Sequence, residues 1–299
     1  MAGSDGLILL RKPAGVTSFV TLGAVKKKLG IKKVGHTGTL DKFAEGLLVV
    51  LTGKYTRLAP FVSNMDKTYE CVFEFGRETT TLDPEGEVIS ESSPPDNETL
   101  VAAVKKFIGH IIQRPPEFSA VHIEGKRAYE RALKGEKVQM PERPVTIYAF
   151  DIREYNPPYL SCSISCSKGT YIRSIARDLG KACSSCAYVK ELKRTQVGPF
   201  RIEDAAIPEE LDPAVSLINT RDFLEKIIPG NSATVKDAYY NSLRMGKPLK
   251  DEFFDEGLLF SEKKDEKQEL PIMIFTHGGE LAAVIEKNEN GYAYRFVCA

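Results

Sequence analysis

The chain has 299 residues, 42% of them hydrophobic, with 41 basic and 41 acidic side chains that cancel to a formal net charge of zero. This composition suits a globular protein with one large core, or one large and one small. No apolar run approaches the ~20 residues a membrane helix needs, and the patch at residues 7–10 is too short for a signal peptide and lacks a small-residue cleavage site, so the expectation is a cytoplasmic protein without a membrane segment.

The charge is unevenly placed. Residues 1–60 hold ten basic and three acidic side chains, a local excess of +7, and residues 160–200 hold seven and two, an excess of +5. Residues 251–270 hold eight acidic and three basic ones, giving −5. Basic faces in a neutral protein are the footprint of a polyanion site, although the cluster Lys26, Lys27, Lys28, Lys32 and Lys33 reads equally well as a solvated helix face.

In chain order, residues 6–10 read as a short strand ended by Lys12-Pro-Ala-Gly15. Thr17-Ser18 suits a helix start, Phe19, Leu22, Val25 and Leu29 recur at helical spacing, and Gly30 ends the helix. Residues 34–41 read as a glycine- and threonine-rich loop, 47–51 as a buried strand and 54–62 as a short helix. Residues 68–75 alternate, with Tyr69, Cys71, Phe73 and Phe75 on one face, as a half-buried strand does. A turn at 84–86, a polar loop at 90–97 and an amphipathic helix at 98–108 follow. Residues 113–145, rich in Pro, Arg and Lys, form a long excursion of the kind that usually carries function. Strands at 145–155 and 159–167, a helix at 174–181 and a strand at 189–200 come next. A helical connector is expected over 208–230, and strands at 272–276, 281–286 and 292–296 form a small β unit. The irregular mixture indicates an α+β fold.

Cys162, Cys166, Cys183 and Cys186 imitate a zinc-ribbon spacing. Cys162 and Cys166 fall four residues apart on one strand, roughly 13 Å at strand rise, too far for two thiolates at ~2.3 Å from one zinc, so both read as core. With four histidines and none paired at ligand spacing, no catalytic metal is expected.

Two stretches carry candidate chemistry. Gly35-His-Thr-Gly-Thr-Leu-Asp41 combines glycines that allow close backbone approach with hydrogen-bonding groups and a terminal carboxylate. On these residues alone, Asp41 as N-cap of a helix over 42–46 is the simpler reading. No nucleotide-binding glycine motif, H-E-x-x-H or G-x-S-x-G is present. The second stretch, Lys168 to Gly180, is a strand end, a glycine turn and a helix, with Arg173 at the junction. Arg177 and Asp178 read as an exposed helix face.

Lys12-Pro-Ala-Gly-Val-Thr-Ser18, Gly35 to Asp41 with Ala44-Glu-Gly-Leu47, Lys67-Thr-Tyr69, Gly169-Thr-Tyr-Ile-Arg173 and Leu192-Lys-Arg-Thr195 resemble, in order, the motifs of TruB-type tRNA pseudouridine synthases. Pro115-Pro-Glu-Phe-Ser-Ala120 and Gly125-Lys-Arg-Ala-Tyr129 resemble that family's RNA-gripping insertion. The resemblance covers about residues 6–200. It implies a pseudouridine-synthase catalytic domain over 1–230, with a mixed, mainly antiparallel sheet flanked by helices and the insertion at about 113–145. A PUA-like RNA-binding domain over 231–299 is implied by position and length.

The activity implied is isomerisation of uridine 55 in the tRNA T loop, on a flipped-out base, without a cofactor or metal. Asp41 matches the nucleophile, Arg173 the arginine that pairs with it, and Tyr69 the tyrosine that stacks on the base and takes part in proton removal. Tyr171 and Leu192 match residues lining the base pocket, and His36 the histidine that holds the target nucleotide out. Lys12 and Pro13 are expected to support the pocket. The implied partner is the tRNA T-arm stem-loop, bound by a monomer without protein partners, with the segments 26–33 and 168–194 suited to its phosphates. Three positions depart from the pattern: Lys42 stands where proline is usual, Thr80 where aspartate is usual, and His122 where lysine is usual. A guide-RNA-dependent relative is disfavoured by the insertion. An RNA chaperone that has lost catalysis is disfavoured by the intact Asp41, Tyr69 and Arg173.

Overall fold

The computed structural model describes residues 5–119, 122–123, 126–127, 131, 140–212, 216–228, 232–255, 271–288 and 291–298. Its strands are β1 (Gly6–Lys12), β2 (Val34–His36), β3 (Glu45–Thr52), β4 (Lys67–Phe75), β5 (Arg77–Thr79), β6 (Val88–Glu91), β7 (Gly109–Gln113), β8 (His122–Ile123) and β9 (Lys126–Arg127). They continue with β10 (Arg143–Asn156), β11 (Tyr159–Cys166), β12 (Ala187–Val197), β13 (Phe200–Arg201), β14 (Ser232–Thr234), β15 (Ile272–Phe275), β16 (Leu281–Asn288) and β17 (Gly291–Val297).

A nine-stranded sheet runs β1-β3-β12-β4-β11-β10-β7, with β13 beside β12 and β2 beside β3. Every pairing in it is antiparallel except β3 with β12, where Lys193 opposes Glu45 and Arg194 opposes Gly46. The sheet is therefore mixed and mainly antiparallel, as expected. Its single parallel contact requires close backbone approach: a Cβ on Gly46 (φ +116°) would lie 2.3 Å from the Arg194 carbonyl oxygen.

The alternation read along residues 68–75 is realised in β4, whose Tyr69, Cys71, Phe73 and Phe75 join Ile164 of β11, Leu192 of β12 and Ile172, Ile175 and Leu179 of the Ile172–Ala182 helix in one core. Around β1 and β3, Leu22 and Val25 of the Ser18–Leu29 helix pack on Ile8, Leu10, Leu48 and Val50. Thr17 caps that helix through Val20 N–H, and Gly30 ends it at φ 68°. A second sheet, β14-β15-β16-β17, follows residue 231, with β14 parallel to β15. Its Met273, Phe275, Leu281 and Val284 share a core with Leu7, Leu9, Leu47 and Val49 of the first sheet. Lys54 Nζ and Arg57 Nη1 donate to the carbonyls of Cys298 (2.8 Å) and Val297 (2.6 Å).

Several local expectations need correction. Residues 34–36 are strand rather than loop, because β12 pairs with β3 only at Glu45 and Gly46 and leaves the edge at 50–52 for Val34, Gly35 and His36. No helix follows Asp41, so the N-cap reading fails; the chain enters β3 directly. The polar loop expected at 90–97 begins with the end of β6. Among the described residues, the expected helical connector over 208–230 is not one continuous helix: it holds the four-residue α-helix Arg221–Leu224, the 3-10 turn Pro208–Glu210 and a helical Ser216. Between these pieces Ile218 leaves the helical pattern to make reciprocal backbone bonds with Leu7 of β1 (2.8 Å each). The expected RNA-gripping residues Ala120, Gly125, Ala128 and Tyr129 lie outside the described residues, as does the side chain of His122.

Candidate active site

Asp41 sits on a loop whose backbone is fixed carbonyl by carbonyl. Thr37 N–H bonds the Val49 carbonyl (3.0 Å). Arg194 Nη2 bonds Gly38 O (3.0 Å), and its Nε bonds Leu47 O (2.8 Å). The Ser18 hydroxyl donates to Leu40 O and accepts from Leu40 N–H, both at 3.0 Å. Gly15 N–H bonds Lys42 O (2.8 Å). Lys12, only 1% exposed, directs its ammonium at the carbonyls of Pro13 (2.9 Å), Val16 and Lys42 (3.4 Å). A short loop held at both ends and in the middle places its carboxylate with little freedom.

The partner of that carboxylate is Arg173, the second residue of the Ile172–Ala182 helix, with a side chain 5% exposed. Nη2 donates to Asp41 Oδ1 (3.2 Å) and to the Phe118 carbonyl (2.9 Å). Nε lies 2.9 Å from Asp41 Oδ2 but its N–H is not directed at a hydrogen-bond acceptor, so this contact is ionic rather than a second hydrogen bond. Nη1 donates to Thr81 O (2.9 Å) and to Asp83 Oδ2 (3.2 Å). One buried guanidinium thus lies between two carboxylates, which satisfies the rule that buried charge must be paired. Asp83 is fixed in turn by Thr81 Oγ1 and by Glu85 N–H (3.0 Å) on Oδ1.

Asp41 is enclosed but not sealed: its side chain is 36% exposed, so it is reachable from solvent. Burial pushes its carboxyl above the usual 3.8, the Arg173 charge draws it back, and the Asp83 and Glu85 charges push it up again. Burial also pushes the Lys12 ammonium down to about 8, against the pull of Asp41.

Tyr69, Leu192 and Leu40 belong to one buried cluster beside this pair. Tyr69 lies opposite Arg194 and Leu192 opposite Cys71 across the β4–β12 pair, so all four present to the same face. Burial raises the Tyr69 phenol above its ordinary value, with the Arg194 charge opposing. The structure therefore brings Asp41, Arg173, Tyr69 and Leu192 together. His36 stands on β2, half-buried; burial first and the Arg194 charge second lower its imidazole below 6.5. Its Nδ1 is buried without a hydrogen-bond partner. Tyr171 directly precedes the Arg173 helix, with the Arg143 guanidinium 4.6 Å above its ring.

Three residues of this site had no role in the sequence reading. Asp83 closes the far side of Arg173. Arg194 ties the Asp41 loop to β3 and faces Tyr69; its two-residue offset from Leu192 on a strand was the available signal. Arg177 is not an exposed helix residue: its side chain is 13% exposed, ion-pairs with Asp178 (2.8 Å) and donates to Arg114 O (2.9 Å). Among the described residues, no group of three or more His, Cys, Asp or Glu side chains is arranged to hold a metal.

The TruB family pseudouridylate synthase N-terminal domain matches residues 26–172, and the tRNA pseudouridylate synthase B C-terminal domain matches residues 173–230. A tRNA pseudouridine synthase B of Borreliella burgdorferi (strain ZS7) is 47% identical over 242 residues, 79% of this chain and 86% of that protein. The chain belongs to the TruB family of pseudouridylate synthases. A TruB relative of Borrelia garinii subsp. bavariensis is 40% identical over 287 residues, 94% of this chain and 95% of its own. In fold, a chain of an H/ACA RNP bound to a substrate RNA containing 2'-deoxyuridine superposes with TM-score 0.72 at 21% identity, covering 98% of this chain and 85% of that one.

Two departures from the TruB pattern now have structural accounts. Thr80 is exposed and its N–H bonds Glu87 O (2.9 Å); Asp83, not position 80, supplies the carboxylate on Arg173. Lys42 is exposed and pairs with Glu85 (2.7 Å), joining the Asp41 loop to the Asp83 loop where a proline would have stiffened the chain.

Proposed function

We propose that this enzyme isomerises uridine to pseudouridine at position 55 in the T loop of tRNA, with Asp41 as its nucleophile. The observation that carries the reading is the Asp41–Arg173 pair, a solvent-reachable carboxylate held against a buried guanidinium on a clamped loop. The name tRNA pseudouridine synthase B that the relatives carry supports the choice of substrate.

The reaction conserves composition. The bond from N1 to C1′ breaks, the base turns, C5 bonds to C1′, and the proton on C5 leaves while N1 gains one. A carboxylate that forms and releases a covalent bond to sugar or base holds the intermediate in place. Arg173 keeps Asp41 ionised and aimed. Tyr69 stacks on the extruded base and serves in proton removal, Leu192 and Tyr171 line its pocket, and His36, neutral near pH 7, holds the nucleotide out. Extrusion costs a few kcal/mol, which stacking and contacts to the splayed loop offset. No step calls for a metal or cofactor.

On this reading residues 1–230 form the catalytic domain and 231–299 a PUA-like RNA-binding domain. The exposed lysines 26, 27, 28, 32 and 33 contribute phosphate contacts. The protein acts as a cytoplasmic monomer on the T-arm stem-loop.

The test is tritium release from a T-arm stem-loop labelled at C5 of uridine, with wild type beside Asp41→Asn. Release by wild type alone supports both parts of the reading. No release by wild type on a bound, folded substrate overturns it.

A further inference from the structure

Gln113 ends β7 and Arg143 begins β10, so these two residues are the gateposts of the 113–145 excursion, and they are partners in the β7–β10 register. Both turn to Tyr171. Gln113 is wholly buried; its Nε2 donates to Tyr171 O (3.1 Å) and its Oε1 accepts from Tyr171 N–H (2.8 Å). That reciprocal pair is one rung of a ladder made by a side chain, and at neutral pH it suits the amide, which carries donor and acceptor in one plane without titrating. Tyr171 has no side-chain capping bond of its own at the helix start, so the glutamine fixes the backbone there.

Arg143 fixes the other half of the residue. Its guanidinium lies 4.6 Å over the Tyr171 ring and also donates to the carbonyl of Gly169 at the turn (φ +78°). Further into the excursion, Arg114 O accepts from Ser174 Oγ (2.8 Å) and Arg177 Nη2 (2.9 Å), and Phe118 O accepts from Arg173 Nη2 (2.9 Å). The root of the excursion is bonded through Gln113, Arg114, Phe118 and Arg143 to the segment that carries Tyr171 and Arg173.

We propose that Gln113 and Arg143 are positioning residues for Tyr171: they set the height and tilt of the ring that lines the uridine pocket. This rests on the reading of Tyr171 as a wall of that pocket. Glutamate at 113 retains the acceptor for Tyr171 N–H, but when ionised it loses the donor and turns a negative oxygen toward Tyr171 O. Protonation restores the donor.

The experiment compares wild type, Gln113→Glu, Tyr171→Ala and the double variant in single-turnover isomerisation and in affinity for a T-arm stem-loop. In parallel, 3-fluorotyrosine-labelled protein is followed by 19F NMR, with the Tyr171 resonance assigned by its loss in Tyr171→Phe. Gln113→Glu is expected to slow the single turnover roughly tenfold to hundredfold, the scale of a small misplacement near a reacting centre, while RNA affinity holds. Its rate relative to wild type recovers as pH falls. In the Tyr171→Ala background the same substitution adds less than about twofold, since residues acting through one another are not additive. The Tyr171 fluorine line shifts in Gln113→Glu. An unchanged rate, full additivity with Tyr171→Ala, or a loss that follows RNA affinity overturns the proposal. If the wild type itself is inert, the proposed reaction falls, and the fluorine line alone decides the clamp: an unmoved line overturns it and a shifted one supports it.

Discussion

Asp83 stands across Arg173 from Asp41, with the guanidinium's Nη1 3.2 Å from Asp83 Oδ2 and its Nη2 3.2 Å from Asp41 Oδ1. The two carboxylates share one buried cation, so each limits how strongly the other is paired. Neutralising Asp83 releases Arg173 to Asp41. It also removes a charge that raises the Asp41 carboxyl. Asp83→Asn is expected to move the acid limb of the single-turnover rate to lower pH and to slow the plateau rate about tenfold, as Asp41, the nucleophile of the proposed mechanism, is paired more tightly and drawn out of line. A pH–rate profile of the two proteins checks both; an acid limb moving upward contradicts the account.

The pH dependence of Asp41 has a defined sign. Its folded-state carboxyl lies above the ordinary 3.8, so the native state holds the proton more firmly than the unfolded chain. On the proposed mechanism activity needs the carboxylate. It is present at higher pH and is lost as pH falls through the folded value, which puts the acid limb above pH 3.8. For stability the same shift means that ionising Asp41 disfavours folding as pH rises from 3.8 through the folded value. Asp41→Asn is therefore expected to abolish tritium release yet melt no lower than wild type at pH 7. Circular dichroism melts and stem-loop binding by the same variant measure this; a lower melting temperature would mean that Arg173 depends on Asp41 for more than Asp83 supplies.

Gly46 is expected to tolerate no side chain. A Cβ there would lie 2.3 Å from the carbonyl oxygen and 2.6 Å from the nitrogen of Arg194, in a conformation of φ +116° that L-residues avoid. Gly46→Ala should cost about 3 kcal/mol or more, through strain and forced separation of the strands. Denaturant unfolding gives the number. Gly23, where an added methyl would meet nothing within 4 Å, is the control: Gly23→Ala on an exposed helix face should be neutral or stabilising.

Cys71 and Cys162 lie opposite each other on β4 and β11, with sulfurs 3.4 Å apart and both buried. Burial, reinforced by the neighbouring Cys162, raises the Cys71 thiol well above its usual value, and burial lifts Cys166 to about 12. These thiols are expected to be inert toward an aromatic disulfide reagent in the native protein at pH 8 and to react only as fast as the protein unfolds. Rapid native labelling of Cys71 would contradict the closed core.

Much of this was legible in the sequence. The alternation of Tyr69, Cys71, Phe73 and Phe75, the helical spacing from Phe19 to Leu29 with Thr17 and Gly30 at its ends, and three of the four strands of the C-terminal sheet (all but β14) are local patterns whose periods are set by backbone geometry. The motif order identified the family to which the comparisons also assign the chain. Where local pattern misled, a distant partner had taken over. Residues 34–36 became strand because β3 had an open edge, and Ile218 of the connector after residue 208 paired with Leu7 of β1 instead of extending a helix.

Sequence by itself thus determined the strongly periodic local elements, the family, and the expectation that Asp41, Arg173 and Tyr69 belong together, because these depend on neighbouring residues or on motifs read in order. Tertiary structure alone decided what holds Asp41 in place. Arg194 reaches Gly38 across 156 positions and Arg173 reaches Asp83 across 90. Such contacts arise from the strand order of the sheet, and their energy depends on burial that no local pattern of residues encodes.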